Sequence, residues 1–413
     1  MSRFDEELRR RLDVLRRQNL LRELRRVDSA QGPRVEIGGR SFLNFSSNDY
    51  LGLAFHPALK EAAVKAVEKF GAGAGASRLI CGSLAPFHEL EEALAVFKQT
   101  EAALTFSTGY ATAIGAIGAL LGRGDIIILD KLVHASIVDA AKLSGAKIRV
   151  FAHNDLNDLE DKLRWANRRD ELDESPFKIR ESGTCITRPS ETKPQIFIVT
   201  ESIFSMDGDA APLREIVTLK EKYGAWLMLD EAHATGVIGK DGRGLADELG
   251  VSGGVEIQMG TLGKALGASG GYICGSRALI DFLVNRARSF IFSTAPVPAA
   301  AAAARAGIEI IQAQEGETQR KRLRSRVVEF QSGILKRKPQ IPAAIVPIIF
   351  GDEEKAVEAA AKLRQRGIFV PAIRFPTVAR GKARLRVTLT ASHSPEDVVS
   401  LIRALNEVVN PKS

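Results

Sequence analysis

The chain has 413 residues, of which 45% are hydrophobic and 26% are charged, and its formal net charge is +8. This composition excludes the disordered and fibrous classes, and the length leaves room for a large core and two or three domains. Cys81, Cys185 and Cys274 lack paired spacing, so we expect neither a disulfide framework nor a metal site, and a reducing, cytoplasmic location.

The hydropathy and the charge of the chain also limit its partners. No apolar run approaches the roughly 20 residues that a membrane span requires, so we expect no membrane insertion. The basic residues are dispersed with few aromatic residues among them, so we expect no nucleic acid either. The positive charge instead favours a small polyanionic substrate or an acidic carrier protein as the partner.

The first predicted elements, in residues 1–45, are an amphipathic helix and an entry strand. The apolar positions that recur at helical spacing are Phe4, Leu8, Leu12 and Leu15. Acidic residues within 1–27 argue against a transit peptide despite the many arginines. The strand is predicted at 41–45, and a helix follows at 57–70.

Residues 46–295 are predicted to form a large domain in which short apolar strands alternate with helices. The predicted strands are 103–106, 126–129, 196–200 and 226–229. Such alternation predicts a mainly parallel sheet with right-handed crossovers and helices on its faces. The polar segment 165–193 breaks the alternation, and we expect an exposed loop or a small hairpin there.

A composition shift at 296–298 predicts a smaller α+β domain over residues 296–413. Its predicted helices are 298–311, 353–366 and one from residue 395, and its predicted strands are 344–350, 368–373 and 383–390. Apolar residues alternate in the last of these strands, which is typical of a strand with one buried face.

Three features between strands and helices are candidate ligand sites. Residues 71–76, GAGAGA, follow a helix rather than a strand, so they either line a ligand pocket or form a plain linker. Residues 107–110, STGY, open a helix, where hydroxyls and free N–H groups either bind a phosphate or cap the helix. His134 opens another helix and is either an ordinary loop histidine or a ring that stacks on a cofactor.

The stretch 258–272, QMGTLGKALGASGGY, places Lys264 among small residues. Glycine allows the backbone to approach a ligand closely. A desolvated lysine amine forms Schiff bases with carbonyl compounds, including pyridoxal phosphate. The alternative is an exposed turn with a solvated lysine, which is the common state of this residue.

Asp230 and His233 follow a predicted buried strand in residues 226–239, WLMLDEAHATGVIG. Functional residues of open α/β sheets gather at the carboxyl ends of the strands. A buried carboxylate there could keep a pyridinium nitrogen protonated, as pyridoxal phosphate requires. The alternative is a helix-capping aspartate and a surface histidine, but the combination with Lys264 is more specific than either stretch alone.

DEAHATGVIG (230–239) and TLGKALG (261–267) resemble the α-oxoamine synthases, which are fold-type I pyridoxal-phosphate-dependent enzymes. The resemblance covers residues 42–393 and includes the motifs SSNDYLGL, GASRLICG, FAHND, SMDGD and AIRFPTVARGKARLRVTLTASH. It implies an α/β transferase fold with a mainly parallel central sheet flanked by helices and a smaller α+β domain at the carboxyl terminus.

The resemblance also implies a cofactor site for pyridoxal 5'-phosphate. The implied catalytic residues are Lys264, His134, Asp230 and His233. The implied cofactor-binding residues are Gly109, Tyr110, His134, Ser205, Asp230, His233, Thr261, Lys264 and Thr294. Lys264 would anchor the cofactor and remove the α-proton of the substrate, His134 would stack on the ring, and His233 with Ser205 would tune its phenolic oxygen. Thr294 would come from a partner subunit, which implies a homodimer with a shared active site.

On the substrate side, the residues implied by the resemblance are Arg22, Asn48, His134, Arg374 and Thr377. The planar fork of Arg374 suits a carboxylate, although a generic surface arginine is the alternative. Arg25 competes with Arg22 for the position that meets the acyl substrate.

The motifs favour the α-oxoamine synthases that condense L-alanine with a pimeloyl thioester for biotin biosynthesis, with release of carbon dioxide. The acyl donor is either pimeloyl-coenzyme A or a pimeloyl-carrier protein. Members of the family that condense glycine with acetyl-coenzyme A, or other amino acids and thioesters, are the alternative. Two alternative interpretations belong to other functional classes, namely a pyridoxal-phosphate aminotransferase and a non-enzymatic basic scaffold.

Overall fold

The computed structural model describes residues 2–170, 194–335 and 343–409. Its strands are β1 (Arg34–Ile37), β2 (Arg40–Asn44), β3 (Ala102–Phe106), β4 (Ile126–Asp130), β5 (Lys147–Phe151), β6 (Ile196–Glu201), β7 (Trp226–Asp230), β8 (Ile257–Thr261), β9 (Gly271–Gly275), β10 (Ile345–Gly351), β11 (Ile368–Phe369), β12 (Ala372–Ile373) and β13 (Ala383–Thr388). Within the described ranges, no helix is both long enough and apolar enough to cross a bilayer.

The helices complete the set of elements. They are α1 (Arg3–Arg17), α2 (Pro57–Phe70), α3 (Ala85–Lys98), α4 (Gly109–Leu120), α5 (Ala135–Ser144), α6 (Leu156–Asp170), α7 (Leu213–Lys222), α8 (Leu245–Glu248), α9 (Arg277–Arg286), α10 (Arg288–Ile291), α11 (Pro298–Gln312), α12 (Gln314–Leu335), α13 (Glu353–Gln365) and α14 (Pro395–Val409). A 3₁₀ turn covers Ser252–Gly254. Of the predicted polar segment 165–193, residues 165–170 end α6, and residues 171–193 lie outside the described residues.

Contacts divide the chain into two compact units. Unit 1 contains Met1–Gly52, Met206–Gly208 and Lys321–Ser413, and unit 2 contains Leu53–Ser205 and Asp209–Arg320. The domains predicted at 1–45, 46–295 and 296–413 divide the chain elsewhere, and they stay a prediction.

Unit 2 is built on a seven-stranded sheet with the strand order β3-β9-β8-β7-β6-β4-β5. Neighbouring strands from β8 to β5 are parallel, whereas β9 pairs antiparallel with β8 and with β3. β4 and β6 are buried at every position, as expected of parallel strands with both faces covered. The predicted fold class, a mainly parallel α/β sheet, is therefore confirmed.

Small residues of α4 allow this helix to pack closely in the core of unit 2. A methyl group added at Gly115 would approach the Phe106 ring to 2.9 Å and would also meet the Ser289 hydroxyl. The Phe106 and Phe290 rings contact each other edge to face, with centroids 6.0 Å apart. A larger residue at position 115 would therefore push α4 away from β3 and α10.

The alanine-rich helix predicted at 298–311 is confirmed as α11, and it packs against α2 and α3 in unit 2. The strand and helix predictions of unit 2 also agree with the structure to within one or two residues. Continuous apolar runs bounded by polar residues make such buried strands easy to locate.

Unit 1 contains two three-stranded sheets, with the orders β1-β2-β11 and β10-β13-β12. The single strand predicted at 368–373 is wrong, because the chain divides at Val370 and Pro371. β11 pairs parallel with β2, and β12 pairs antiparallel with β13. Pro371 has no N–H to donate to a strand ladder, so it separates two short strands that join different sheets.

The predicted amino-terminal helix is confirmed as α1, but it is short and its apolar face is uncovered. The helix ends at Arg17, and Asn19 adopts a left-handed conformation with φ of 55°. The side chains at the predicted apolar positions are all exposed, namely Phe4, Leu8, Leu12 and Leu15. Within the described chain α1 therefore contributes no buried residue to the core of unit 1.

Candidate active site

Three neighbouring strands of unit 2 place polar residues at the same edge of the sheet. Glu201 ends β6, Asp230 ends β7 and Thr261 ends β8. Glu201 lies opposite Asp230 in the register of the two parallel strands. The two carboxyl-bearing residues are 2% and 6% exposed. The carboxyl edge of the sheet is therefore the candidate site, as expected for an α/β fold.

Lys264 lies in the turn after β8 and contacts His233. The Lys264 Nζ and His233 Nε2 atoms are 2.8 Å apart. Gly267, in the same turn, has φ of +67°, and a methyl group there would clash with the backbone of Leu53. Glycine is therefore required for the turn to pack. Lys264 is half-buried rather than fully solvated, which agrees with its predicted role as a cofactor anchor.

Asp230 is the acidic neighbour of Lys264. Burial raises the pKa of Asp230, whereas the Lys264 charge, the Ala232 N–H and the His134 charge lower it. The Ala232 N–H donates to Asp230 Oδ1 at 2.9 Å. The structure thus brings the predicted anchor, Lys264, and the predicted acidic residue, Asp230, into one electrostatic environment.

His134 belongs to the same cluster and caps α5. Its Nδ1 accepts a hydrogen bond from the Ser136 N–H at 3.3 Å. Burial lowers the pKa of His134, the Asp230 charge opposes that effect, and the Lys264 charge adds to it. The neutral imidazole is therefore favoured, and a neutral ring is the form that suits stacking on another ring.

Glu201 belongs to the cluster, and although it directly follows the predicted strand 196–200, no role in the site was predicted for it. Its Oε2 accepts the Ser205 N–H at 3.1 Å. Its Oε1 is buried and has no hydrogen-bond partner within the described residues. Burial, followed by the Asp230 charge, raises the pKa of Glu201 to about 8. The position of Glu201 in the sequence could have indicated its role, because Glu201 ends β6 in the same way as Asp230 ends β7.

The amino terminus of α4 lies beside the end of β8 and is a candidate anion site. A methyl group built at Gly109 would lie 3.9 Å from the Thr261 hydroxyl, so these two predicted cofactor-binding residues are adjacent. The Thr108 hydroxyl caps the helix by accepting the Ala111 N–H at 3.0 Å. The N–H groups of the first turn, at Gly109 and Tyr110, point out of the helix end, where an anion is favoured. Capping and phosphate binding are thus compatible here.

The remaining predicted cofactor residues, Ser205 and Thr294, lie at different places in unit 2. Ser205 is buried next to Glu201. Thr294 is exposed and forms an isolated β-bridge with Ser77. Among the described residues, Thr294 makes no hydrogen bond with Lys264. The chain by itself therefore does not join Thr294 to the cluster.

Unit 1 brings together three of the predicted substrate residues. Arg22 Nη2 lies 3.4 Å from the Thr377 hydroxyl, and Arg374 Nη2 donates to the Leu21 carbonyl at 2.7 Å. Burial and the Arg22 charge lower the pKa of Arg374. In the part of the chain that the structure describes, neither arginine is paired with a carboxylate. Two neighbouring cations in this state form a candidate anion site.

Asn48 is also in unit 1, where its side chain is held by two neighbours. Asn48 Oδ1 accepts hydrogen bonds from the Tyr50 hydroxyl at 3.3 Å and from Arg386 Nη1 at 3.2 Å. Arg386 is buried, so the amide of Asn48 is fixed in orientation.

A lysine, a buried aspartate and an anion-binding helix end at the carboxyl edge of this sheet define the fold-type I class of pyridoxal-phosphate-dependent transferases. Residues 40–405 match the family model "Aminotransferase class I and II". Curated relatives include the 8-amino-7-oxononanoate synthases of Geotalea daltonii, 45% identical over 99% of this chain and 98% of that protein, and of Geobacter sulfurreducens, 44% identical over 96% of each. The chain therefore belongs to the class I and II aminotransferase family and, within it, to the family of 8-amino-7-oxononanoate synthases.

Solved structures agree with this assignment of the fold. Serine palmitoyltransferase of S. paucimobilis, with a bound PLP–myriocin aldimine, has a TM-score of 0.86 at 27% identity and covers 100% of this chain and 99% of its own. The 8-amino-7-oxononanoate synthase of Francisella tularensis has a TM-score of 0.72 at 25% identity, over 90% of this chain and 98% of its own. The backbone is thus shared by enzymes with different names, whereas the curated synthases of Geotalea daltonii and Geobacter sulfurreducens are more similar in sequence, at 45% and 44% identity.

Proposed function

We propose that the chain condenses L-alanine with a pimeloyl thioester to 8-amino-7-oxononanoate in biotin biosynthesis. The other products are carbon dioxide and free coenzyme A or carrier protein. The observation that carries the proposal is the 2.8 Å contact of Lys264 with His233 beside the buried carboxyl group of Asp230. The names of the curated relatives support this choice of substrates.

The residues at the carboxyl edge of the sheet fit pyridoxal phosphate. Lys264 would hold it through its amine, Asp230 would hold the ring nitrogen, and the α4 terminus with Thr261 would hold the phosphate. The unpartnered Oε1 of Glu201 indicates that a polar ligand group completes this site. When bound, the cofactor supplies a conjugated ring that accepts electrons from the α-carbon of the amino acid.

The side chains around the cofactor move and hold protons. Lys264 Nζ takes the α-proton of alanine as a general base. His233 holds that amine in place by its hydrogen bond. Asp230 would keep a proton on the ring nitrogen by pairing with it. The neutral ring of His134 would stack on the cofactor ring.

The proposed substrates supply the anions that the arginines of unit 1 need. Alanine has an α-carboxylate, for which the planar fork of Arg374 is suited. The pimeloyl chain has a terminal carboxylate, for which Arg22 is the candidate. The contact of Arg22 with Thr377 favours Arg22 over Arg25, because Arg25 forms no such contact among the described residues. The pairing of each arginine with its substrate group is part of the proposal.

The proposal includes a homodimer in which the subunits share the active site. In unit 2, segments 76–80 and 292–297 are joined by the Ser77–Thr294 bridge and by a hydrogen bond from the Ala295 N–H to the Ala76 carbonyl at 3.0 Å. The exposed large apolar side chains of these segments are Leu79, Ile80, Phe292 and Val297. Such a patch is typical of an interaction surface. A partner bound there would bring its own Thr294 toward the cofactor site.

A substrate matrix tests the proposed reaction. The purified chain is given alanine, glycine or serine together with pimeloyl-, acetyl- or palmitoyl-coenzyme A, and the release of carbon dioxide is measured. We expect alanine with pimeloyl-coenzyme A to give the fastest release. Glycine with acetyl-coenzyme A would instead indicate 2-amino-3-oxobutyrate coenzyme A ligase, and keto acid formation without thioester consumption would indicate an aminotransferase.

Lys264→Ala tests the anchor itself. We expect this variant to fold, to lack the visible absorbance of lysine-bound pyridoxal phosphate, and to release no carbon dioxide. Lys240→Ala, which changes an exposed side chain, is the matched control and should keep both properties. Visible absorbance that survives in Lys264→Ala would contradict the assignment, and a colourless wild type that the cofactor does not restore would favour a non-enzymatic role. The cytoplasmic location stays a prediction.

A further inference from the structure

His153, in the FAHND motif, lies between two carboxylates. Its Nδ1 is 3.0 Å from Asp130 Oδ1, and its Nε2 is 2.8 Å from Asp209 Oδ2. The Phe204 ring meets the imidazole edge to face, with centroids 4.3 Å apart. A carboxylate accepts hydrogen bonds, so each ring nitrogen reaches its partner by donating a proton. The geometry therefore favours a doubly protonated, positively charged imidazole.

The first carboxylate, Asp130, orders the turn that leads to His134. Asp130 ends β4, and its Oδ1 accepts the Leu132 N–H at 2.8 Å. Its Oδ2 accepts the Asn154 N–H at 3.0 Å. The carboxylate thus joins the residues after β4 to those after β5.

The second carboxylate, Asp209, belongs to the turn that carries Ser205. The Phe204 N–H donates to the Asp209 carbonyl at 2.9 Å, which closes this turn. The Asn154 side-chain amide donates to Asp209 Oδ2 at 3.2 Å and to the Ala210 carbonyl at 3.1 Å. His153 and Asn154 together therefore fix the position of the whole turn.

We propose that His153 is a positioning residue that fastens the Ser205 turn to the His134 turn. Its two donated hydrogen bonds would hold Ser205 and His134 in the positions that the cofactor requires. We call the two hydrogen bonds of His153, to Asp130 and to Asp209, the clamp. Its effect on pyridoxal phosphate rests on the proposed function, whereas the two hydrogen bonds are a property of the chain itself. The FAHND motif supplies His153 and the SMDGD motif supplies Asp209, so the two motifs would act together in this contact.

The charges around His153 support the doubly protonated form. Burial lowers the pKa of His153, but its hydrogen bonds to Asp130 and Asp209 and the charges of these two residues raise it, to about 10 in all. Two carboxylates that share one cation would repel each other without it. The clamp should therefore persist at neutral pH and open when His153 loses its charge.

Hydrogen exchange of the full chain, with and without pyridoxal phosphate, tests the clamp. His153→Phe keeps a flat ring against Phe204 but removes both donors. We expect amides of residues 130–134 and 202–211 to exchange about tenfold faster or more, with β10 and β13 unchanged. His88→Phe, which alters an exposed histidine bonded to the Ser83 hydroxyl at 2.9 Å, is the control and should exchange like the wild type. Uniform acceleration, or no change in the two turns, would overturn the proposal.

A double-mutant cycle separates positioning from general stability. Asp209→Ala, His153→Phe and the double variant are titrated with pyridoxal phosphate, and the dissociation constants are compared. If the two residues act as one clamp, each single variant should bind about tenfold more weakly and the double variant no more weakly than the singles. Additive losses would overturn the proposal. A wild type that does not bind the cofactor would contradict the proposed function, while the exchange pattern would still decide the clamp.

Discussion

Glu201 illustrates how burial sets the charge of a single side chain. Its pKa of about 8 in the folded chain lies above the ordinary value of 4.5. Between these pH values the folded chain binds a proton that the unfolded chain has lost. The contribution of Glu201 to the free energy of unfolding is therefore full below the ordinary pKa and declines as the pH rises toward 8.

Glu201→Gln should remove this pH dependence. The glutamine carbonyl can still accept the Ser205 N–H, so we expect the variant to fold. Melting curves of the cofactor-free chain should show that the unfolding temperature of the wild type falls more than that of Glu201→Gln between about pH 5 and pH 8. Glu354→Gln, at an exposed position, should follow the wild type. Parallel pH profiles of wild type and Glu201→Gln would show that Glu201 titrates normally.

The site residues differ in how far the sequence could predict them. Lys264, Asp230 and His233 lie in two short motifs whose residue types already indicate the chemistry, and the structure places them together. Glu201 and His153 owe their properties to partners from distant parts of the chain. Burial and unpartnered atoms are tertiary properties, so a single sequence does not reveal them.

At the scale of elements, α3 fixes the segment that follows β7. Its last residue, Lys98, forms a buried ion pair with Glu231, and the two side chains are 2% and 0% exposed. Lys98 also donates to the Arg243 carbonyl, and the Ala246 N–H donates to Glu231 Oε1 at 3.0 Å. One helix end thus holds the chain between β7 and α8, directly after Asp230.

Lys98→Met should therefore be strongly destabilising. The variant leaves the Glu231 carboxylate buried without its cation, and we expect the free energy of unfolding to fall by about 3–5 kcal/mol in urea titrations. Lys65→Met is the matched control, because Lys65 pairs with Glu61 on an exposed helix face. We expect little measurable change there. Equal effects of the two substitutions would mean that the buried pair does not anchor this segment.

The elements that the sequence predicted best are buried strands with continuous apolar runs and one helix whose start is marked by a proline. β4, β6 and β7 have continuous apolar runs, and α2 was predicted with the same ends as in the structure. β1 was not predicted, because its four residues, RVEI, include two charges and give a weak pattern. The pairing of β11 and β12 with different sheets could not be inferred, since partner choice depends on contacts distant in sequence.

At the scale of the whole molecule, the position of Thr294 is the feature that one chain does not explain. Thr294 is exposed on a segment with exposed apolar neighbours, among them Phe292 at 71%. The proposed homodimer would cover these side chains and complete each cofactor site with a residue of the other subunit. Two-fold symmetry then places two identical sites at one interface.

Subunit complementation tests this arrangement. If the subunits share the site, Lys264→Ala and Thr294→Asp each damage one half of it, the second by placing a carboxylate near the cofactor phosphate. In a mixed dimer one site receives both defects and the other receives none. Unfolding and refolding an equal mixture should therefore restore about a quarter of the wild-type carbon dioxide release, because half of the dimers are mixed and each has one intact site. Thr294→Ser is the control and should be active alone. A mixture that stays as inactive as its components would show that each subunit builds its site by itself.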